Sequence, residues 1–390
     1  SVGYPGTIAS TWQQAGRAGR GERCALNILI GYDNPLDQFF MRHPEELFGR
    51  PHESALLDPG NLHVLKAHLA CAAFEHPLTQ DDAPLFGPGY AEALDALAED
   101  HTLHRRNDRW YLSSEDYPAG RVNMRGTGDA RYILVDETEG CRIMEEIDAA
   151  WASMRIHPGA IYLHRGDSYL VTRLDMDARV AYARPIDADY YTQVQERNDV
   201  HIVRSLEGRS LRSTDLFFGM VRVTRRVVGF LRKQQFTDAL LGQEPLDLPP
   251  YSFDTQALWF EVPDAIRGKV VAEGRDFEGG LHALEHACLG ILPSFTMCDR
   301  NDVGGLSTAR HPDTGRAQIF IYDGYPGGVG IAKRGYELVE SLWQRTFEAI
   351  RDCPCESGCP SCIQSPKCGS NNQPLDKEAA RCIVKALLVL

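Results

Sequence analysis

No apolar run in the 390-residue chain approaches the roughly 18 residues that a membrane-crossing helix needs, so no segment is expected to span a bilayer. There is also no GxxxxGK(S/T) phosphate loop and no DExH box, which excludes self-contained nucleotide hydrolysis. Basic residues are in deficit: 41 Lys and Arg against 54 Asp and Glu leave a formal net charge of −13. That balance excludes a uniformly basic nucleic-acid coat and confines any such contact to local patches on an acidic body. The chain opens SVGYPGTIAS, without an initiator Met and as though inside a domain, so a piece of a longer protein is expected. What remains is an ordinary globular composition, long enough for two to four domains with their own cores. The fold class expected is multidomain α+β.

Cysteine is where the chain is unusual. Of its 11 cysteines, five fall in the stretch CPCESGCPSCIQSPKC, at Cys353, Cys355, Cys359, Cys362 and Cys368. Thiolates two to four residues apart can converge on one tetrahedral ion without unwinding the chain behind them. Gly358, Pro360, Pro366 and Gly369 keep the stretch non-helical, as a metal-wrapping loop requires. Zinc suits this pattern, and an iron–sulfur cluster is the second reading. A disulfide cluster is disfavoured because the other six cysteines are scattered singly. Four of the five thiols should be ligands, and the spacing leaves open which one is spare.

Near the front, TWQQAGRAGRGER carries Gln13, Arg17 and Arg20 between a Gly/Pro turn (Gly3-Tyr4-Pro5-Gly6) and an apolar strand expected over Ala25–Ile30. Two arginines three apart on a short helix project to one side and can stabilise charge on a transferring γ-phosphoryl group. A bare GRxxR would be no more than a solvated basic helix. The full QQAGRAGRGE string, however, resembles motif VI of superfamily 2 helicases. That resemblance implies that residues 1–50 end a second RecA-like domain. Gln13, Arg17 and Arg20 would then face ATP and Mg2+ held by a first RecA-like domain whose motifs this chain lacks.

Residues 51–118 read as a winged helix. Asn61 opens a helix with a Leu62, Val64, Leu65, Leu69 stripe, residues 89–100 give another, and LHRRNDRWYL is a hairpin candidate turning at Asn107-Asp108. Arg105, Arg106 and Arg109, with Trp110 and Tyr111 beside them, suit phosphate contact and base stacking. A small packing domain with a polar hairpin is the plainer alternative. Residues 119–205 read as a small β module, either a barrel or a sheet with one solvated face, with a strong hairpin signal around Arg165-Gly166-Asp167. Its His157 and His164 suit a core or surface role better than metal ligation.

Residues 206–390 read as the metal-bearing α/β domain. VRVTRRVVGFLRK alternates apolar with basic residues and places Arg222 and Arg226 on one strand face, either a solvated face or a DNA path. Helical spacing in GLHALEHACLG puts His282 and His286 on one face, with Glu285 between them in the H-x-x-E-H pattern of inverted zinc peptidases. No second ligand motif accompanies it, and the Ala-rich apolar helix is explained by core packing. The strand IFIYD, the turn Gly324–Gly330 and a following helix could cradle a phosphate, but tight strand-to-helix packing accounts for the glycines.

Three stretches in order, QQAGRAGR, the β block IHPGAIYLHRGDSYLV, and IFIYDGYPGGVGIAKRGYE followed by the cysteine knot, together resemble the YprA-like (MrfA-like) mitomycin-repair superfamily 2 DNA helicases. The likeness implies a C-terminal accessory half of an ATP-dependent 3′-5′ helicase, acting in bacterial DNA repair in the cytoplasm at the nucleoid. It further implies structural Zn2+, single-stranded or forked DNA as partner, and the RecA-like domain that is missing here as the companion. A module docking a repair protein is the alternative from another class, and a peptidase on His282, Glu285 and His286 a third.

Overall fold

The structure, a computed structural model, describes residues 1–19, 24–53, 56–122, 130–138, 140–296 and 298–389. Arg20 therefore lies outside the described residues. The chain divides into two units, one made of Ser1–Asp58, Val200–Val223 and Asp254–Leu390, the other of Pro59–Asp199 and Thr224–Phe253.

The first unit is built around the helix Phe277–Ile291, opened by the Asp276 carboxylate, which accepts the Glu278 N–H. Apolar side chains occur on nearly every face of this helix, so it has to be buried all round. The helix Lys377–Val389 packs against it through Ala379, Ala380, Ile383, Val384 and Leu387, the stripe expected from the sequence. A Cβ on Gly280 would stand 2.6 Å from the Cβ of Ala379, so glycine is what permits the close approach of the two backbones. Val339–Asp352 adds Leu342, Trp343 and Ile350 to the same core. Beneath lies an antiparallel sheet in which Gln318–Asp323 runs between Tyr251–Glu261 and Val303–Thr308, with Ile321 opposite Leu258 on one side and Gly305 on the other. Every residue of that central strand is buried.

Residues 1–58 share this core rather than standing apart. Ile8, Leu36, Phe39, Phe40 and Leu47 are buried in it, and Arg345 donates to Glu46 at 2.5 Å. The expected strand over Ala25–Ile30 does not form. Ile30 bridges Val2, and Leu26, Ile28 and Ile30 remain 83%, 62% and 57% exposed. A strand buries alternate side chains only when a neighbouring strand supplies its hydrogen bonds. Among the described residues that neighbour is present at one end alone.

In the second unit, helices Leu62–Glu75 and Tyr90–Glu99 pack with the hairpin Leu103–Arg106/Arg109–Leu112 around Leu65, Leu69, Tyr90, Leu94, Leu103 and Trp110. This is the expected helix, helix, wing order. The following β module is an open five-stranded sheet, ordered Arg142–Asp148, Arg131–Asp136, Val180–Pro185, Asp167–Asp175, Ile161–His164, with one parallel pair at its centre. Its two end strands are not paired to each other, so the barrel alternative falls away. His157 packs on Phe230 in the interior and His164 lies 3.5 Å from Glu145, both away from any ligand cluster among the described residues. The expected boundary at residue 205 falls inside one long strand, Tyr190–Leu211, which pairs with Thr214–Gln234.

Candidate metal centre and nucleic-acid interface

The cysteine knot resolves into two separate ligand clusters. Cys353, Cys355, Cys359 and Cys362 bring their sulfur atoms together, with Sγ–Sγ distances of 3.6 Å for 353–355, 3.5 Å for 353–359, 3.5 Å for 355–362 and 3.9 Å for 359–362. A tetrahedral zinc with Zn–S of about 2.3 Å requires sulfur–sulfur edges of about 3.8 Å. A disulfide would require about 2.05 Å, and all four thiols are free. The four sulfurs thus fit a zinc ion, while Cys368 stands outside the set.

The local fold explains the convergence. Cys353 ends the helix Val339–Asp352, and the Cys362 and Ile363 N–H groups both turn back onto the Cys359 carbonyl at 3.1 and 3.2 Å. Gly358 sits at φ 108, where a Cβ would also come within 2.4 Å of the Ile363 side chain, so any other residue would be strained at that corner. Burial pushes the Cys362 thiol up, whereas Cys353, despite burial, is held down to about 7 by the Cys355 N–H and the neighbouring thiols. Lys377 completes the centre. Its buried Nζ donates to the Cys353 and Cys355 carbonyls at 2.8 and 2.5 Å and lies 3.4 Å from Cys355 Sγ. Sequence reasoning missed this residue, although a lysine in register with the apolar stripe Ala380, Ile383, Val384 and Leu387 was a visible signal.

Cys368 meets the histidine pair instead. His282, His286 and Cys368 form the second cluster, with Cys368 Sγ 3.4 Å from His282 Nε2. Burial pushes the Cys368 thiol up, but hydrogen bonds from His282, His286 and Ser370 outweigh it and bring it down to about 5. Glu285 is not among these ligand atoms. Its buried carboxylate accepts the Ser307 hydroxyl at 2.7 Å, beneath the sheet strand Val303–Thr308.

The Gly-rich turn after Asp323 holds its own anion. The fully buried Asp323 carboxylate accepts the N–H groups of Val329, Gly330, Ile331 and Ala332 at 2.6, 2.9, 3.2 and 2.7 Å. These are the donors a phosphate would have used, so the turn closes a strand onto a helix. Burial pushes this carboxyl up to about 6, against the pull of the four N–H groups.

At the front, the helix Ile8–Ala15 stops before Arg17, which lies in the following turn with its N–H on the Gln14 carbonyl. Gln13 and Arg17 are both exposed. The Glu53 carboxylate accepts the Ile8 N–H at 2.6 Å and the Ala9 N–H at 3.3 Å, satisfying the start of that helix.

On the wing, Asn107 and Asp108 both adopt positive φ (48 and 58), which is the geometry of a two-residue I′ turn. Arg105 is opposite Trp110 and Arg106 opposite Arg109. Alternation along a strand therefore puts Arg106 and Arg109 together on one face of the hairpin. Arg105 lies over the Trp110 ring at 5.0 Å and pairs with Asp108 at 2.5 Å. Trp110 is only 3% exposed and plugs the hairpin onto the helices, so the expected stacking of a base on its ring is corrected to a core role. Along Thr214–Gln234 the expected alternation is present: Arg222 and Arg226 are exposed while Val221, Val223 and Val227 are buried. Arg222 is held by Asp254 through two bonds of 2.7 and 2.9 Å.

Residues 284–363 match the MrfA Zn-binding domain family, and residues 57–127 match the winged helix domain of the ATP-dependent helicase HRQ1. The chain is 36% identical over 372 residues to the uncharacterized ATP-dependent helicase YprA of Bacillus subtilis, a match covering 93% of this chain and 48% of that protein. It is 28% identical over 406 residues to the ATP-dependent helicase HRQ1 of Saccharomyces cerevisiae, covering 99% of this chain and 37% of the relative. The chain thus spans half or less of the length of these relatives. A crystal structure of the DUF1998 helicase MrfA superposes with a TM-score of 0.65 at 32% identity, over 93% of this chain and 51% of that one. A crystal structure of the same helicase bound to DNA gives 0.58 at 34% identity, over 99% and 51%. The zinc-binding and winged-helix matches, with a likeness running along nearly the whole chain, make this chain similar to the C-terminal part of the YprA/MrfA-like helicases.

Proposed function

We propose that this chain is the strand-holding half of an ATP-dependent 3′-5′ DNA helicase that acts in DNA repair, and that it binds single-stranded or forked DNA. The observation that carries this reading is the wing. A rigid I′ hairpin, fixed on its core by Trp110, presents Arg106 and Arg109 on one exposed face of an otherwise acidic chain. A relative solved with DNA matches over 99% of this chain, which supports the same reading. Arg222 and Arg226 are further candidates for DNA contact, with Arg222 held by Asp254. Gln13, exposed on the first helix, and Arg17, exposed in the turn after it, are the residues we assign to ATP and Mg2+ held by a RecA-like domain outside this chain, and Arg20 follows by the motif VI likeness. The exposed Leu26, Ile28 and Ile30 suit a protein partner, which we assign to the remainder of the RecA-like fold rather than to a separate repair protein. Such a protein would work at the nucleoid in the bacterial cytoplasm. The peptidase reading has no base to offer, because Glu285 is buried and committed to Ser307.

The test is fluorescence anisotropy with single-stranded, duplex and forked oligonucleotides at two salt concentrations. Arg106→Ala/Arg109→Ala should weaken binding about tenfold or more and lower the salt slope by about 1.5, since each lost phosphate contact removes roughly 0.7–0.9. Affinity and slope equal to the parent's would remove the wing from the interface and favour a docking role.

A further inference from the structure

The fifth cysteine is neither spare nor part of the four-sulfur centre, and its surroundings are those of a ligand. His282 Nδ1 lies 2.9 Å from the Pro374 carbonyl, and His286 Nδ1 lies 2.9 Å from the Ile363 carbonyl. A carbonyl oxygen can only accept, so both Nδ1 atoms carry a proton, and the Nε2 atoms on the Cys368 side are the ones that would offer a lone pair to a metal. That is the arrangement in which histidine binds a metal, the far nitrogen fixed by a backbone acceptor. The two rings lie one helical turn apart on the same helix face, their centroids 4.3 Å from each other. Both Nε2 atoms are left to meet Cys368, and the ligand atoms of all three residues lie within 4.8 Å of one another.

The thiol is held in place from its own side too. Asn371 and Asn372 adopt positive φ (55 and 60), curling the chain so that the Asn372 N–H donates to Cys368 Sγ at 3.2 Å. The Asn372 amide spans the loop, accepting from the Ser365 N–H at 2.8 Å and donating to the Ser365 carbonyl at 3.0 Å. For a tetrahedral zinc with Zn–N about 2.05 Å and Zn–S about 2.3 Å, the N···S edge is about 3.6 Å. The observed separation is 3.4 Å.

We propose that His282, His286 and Cys368 bind a second zinc-class divalent ion, separate from the four-cysteine centre, which fastens the segment 363–374 to the helix Phe277–Ile291. Two imidazoles and a thiolate suit zinc among common divalent ions, and leave one position for water or an exchangeable ligand. The matched zinc-binding span ends at residue 363, so it contains the four-sulfur set and leaves Cys368 and His282 outside. With Glu285 turned to Ser307, the site is a clip between segments and not a hydrolytic centre.

The test counts metal in the whole chain after zinc loading and desalting, by inductively coupled plasma mass spectrometry. Two zinc ions per chain are expected in the parent and one in Cys368→Ser, a half-buried position where serine keeps the fold. His282→Asn should also give one. Alkylation of Cys368 by iodoacetamide, mapped by peptide mass spectrometry, should be slowed roughly tenfold or more by zinc in the parent, and not in His282→Asn. The cobalt-loaded parent minus cobalt-loaded Cys368→Ser should leave the absorption of a thiolate-ligated tetrahedral ion. One zinc in the parent, with Cys368 alkylated at the same rate with and without zinc, would overturn the proposal. Because no DNA is used, a failure here is distinguishable from a failure of the helicase reading.

Discussion

Removing the Lys377 ammonium while keeping its stem tests whether the zinc centre depends on a charge supplied from outside the knot. Four thiolates around a divalent ion leave excess negative charge in a half-buried loop, and Lys377 Nζ stands 3.4 Å from Cys355 Sγ while donating to two knot carbonyls. With an effective dielectric of about 20, one opposite charge at that distance is worth up to about 5 kcal/mol. The desolvation of the ammonium, which the variant no longer incurs, cancels part of it. Lys377→Met should therefore weaken zinc by roughly 2–3 kcal/mol, or about 30- to 150-fold, at about 1.4 kcal/mol per decade. Lys385→Met is the control, because Lys385 is exposed on the same helix and carries the same charge. Zinc affinity is read by competition with a chromophoric chelator, with the fold of each variant followed by circular dichroism. If Lys377→Met and Lys385→Met bind zinc within about threefold of each other, the electrostatic account is wrong.

Other expectations follow from packing and metal binding. Chelation should expose the segment 353–376 to limited proteolysis while the sheet spanning Arg131–Pro185 stays resistant, since that sheet has its own core; unchanged cleavage across the knot would refute this. Asp323→Asn replaces one of two acceptor oxygens with an amide donor facing the four N–H groups, and should cost about 3 kcal/mol in urea unfolding. Gly159→Ala places a methyl 2.7 Å from the Phe230 ring at φ 85, and should lower the melting temperature measurably where Gly166→Ala, in open space, costs only the backbone strain.

The sequence was most legible where chemistry is local. The cysteine spacing, the helix-helix-wing order and the C-terminal stripe Ala379, Ala380, Ile383, Val384, Leu387 could all be read from near neighbours along the chain. Partners set by tertiary structure were not. Trp110 beside three arginines looks like a stacking platform until the helix packing shows that it plugs the core. Residues 25–30 have strand composition, but composition cannot reveal that, among the described residues, a neighbour runs beside one end alone. Cys368 looked interchangeable with four other thiols, because the helix bearing His282 lies 86 residues away in sequence and only folding brings the two together. Asp323 turned a plausible phosphate cradle into a closed one by supplying the anion from the preceding strand.

That difference in sequence separation bears on the order of events during folding. The four sulfurs of the first cluster span ten consecutive positions, a loop short enough to close before any long-range packing exists, so an ion can be captured by an otherwise unfolded segment. The histidine–cysteine cluster closes a loop of 86 residues and needs the helix Phe277–Ile291 already seated. Metal in the first place is a nucleus, and metal in the second is a receipt for a finished fold.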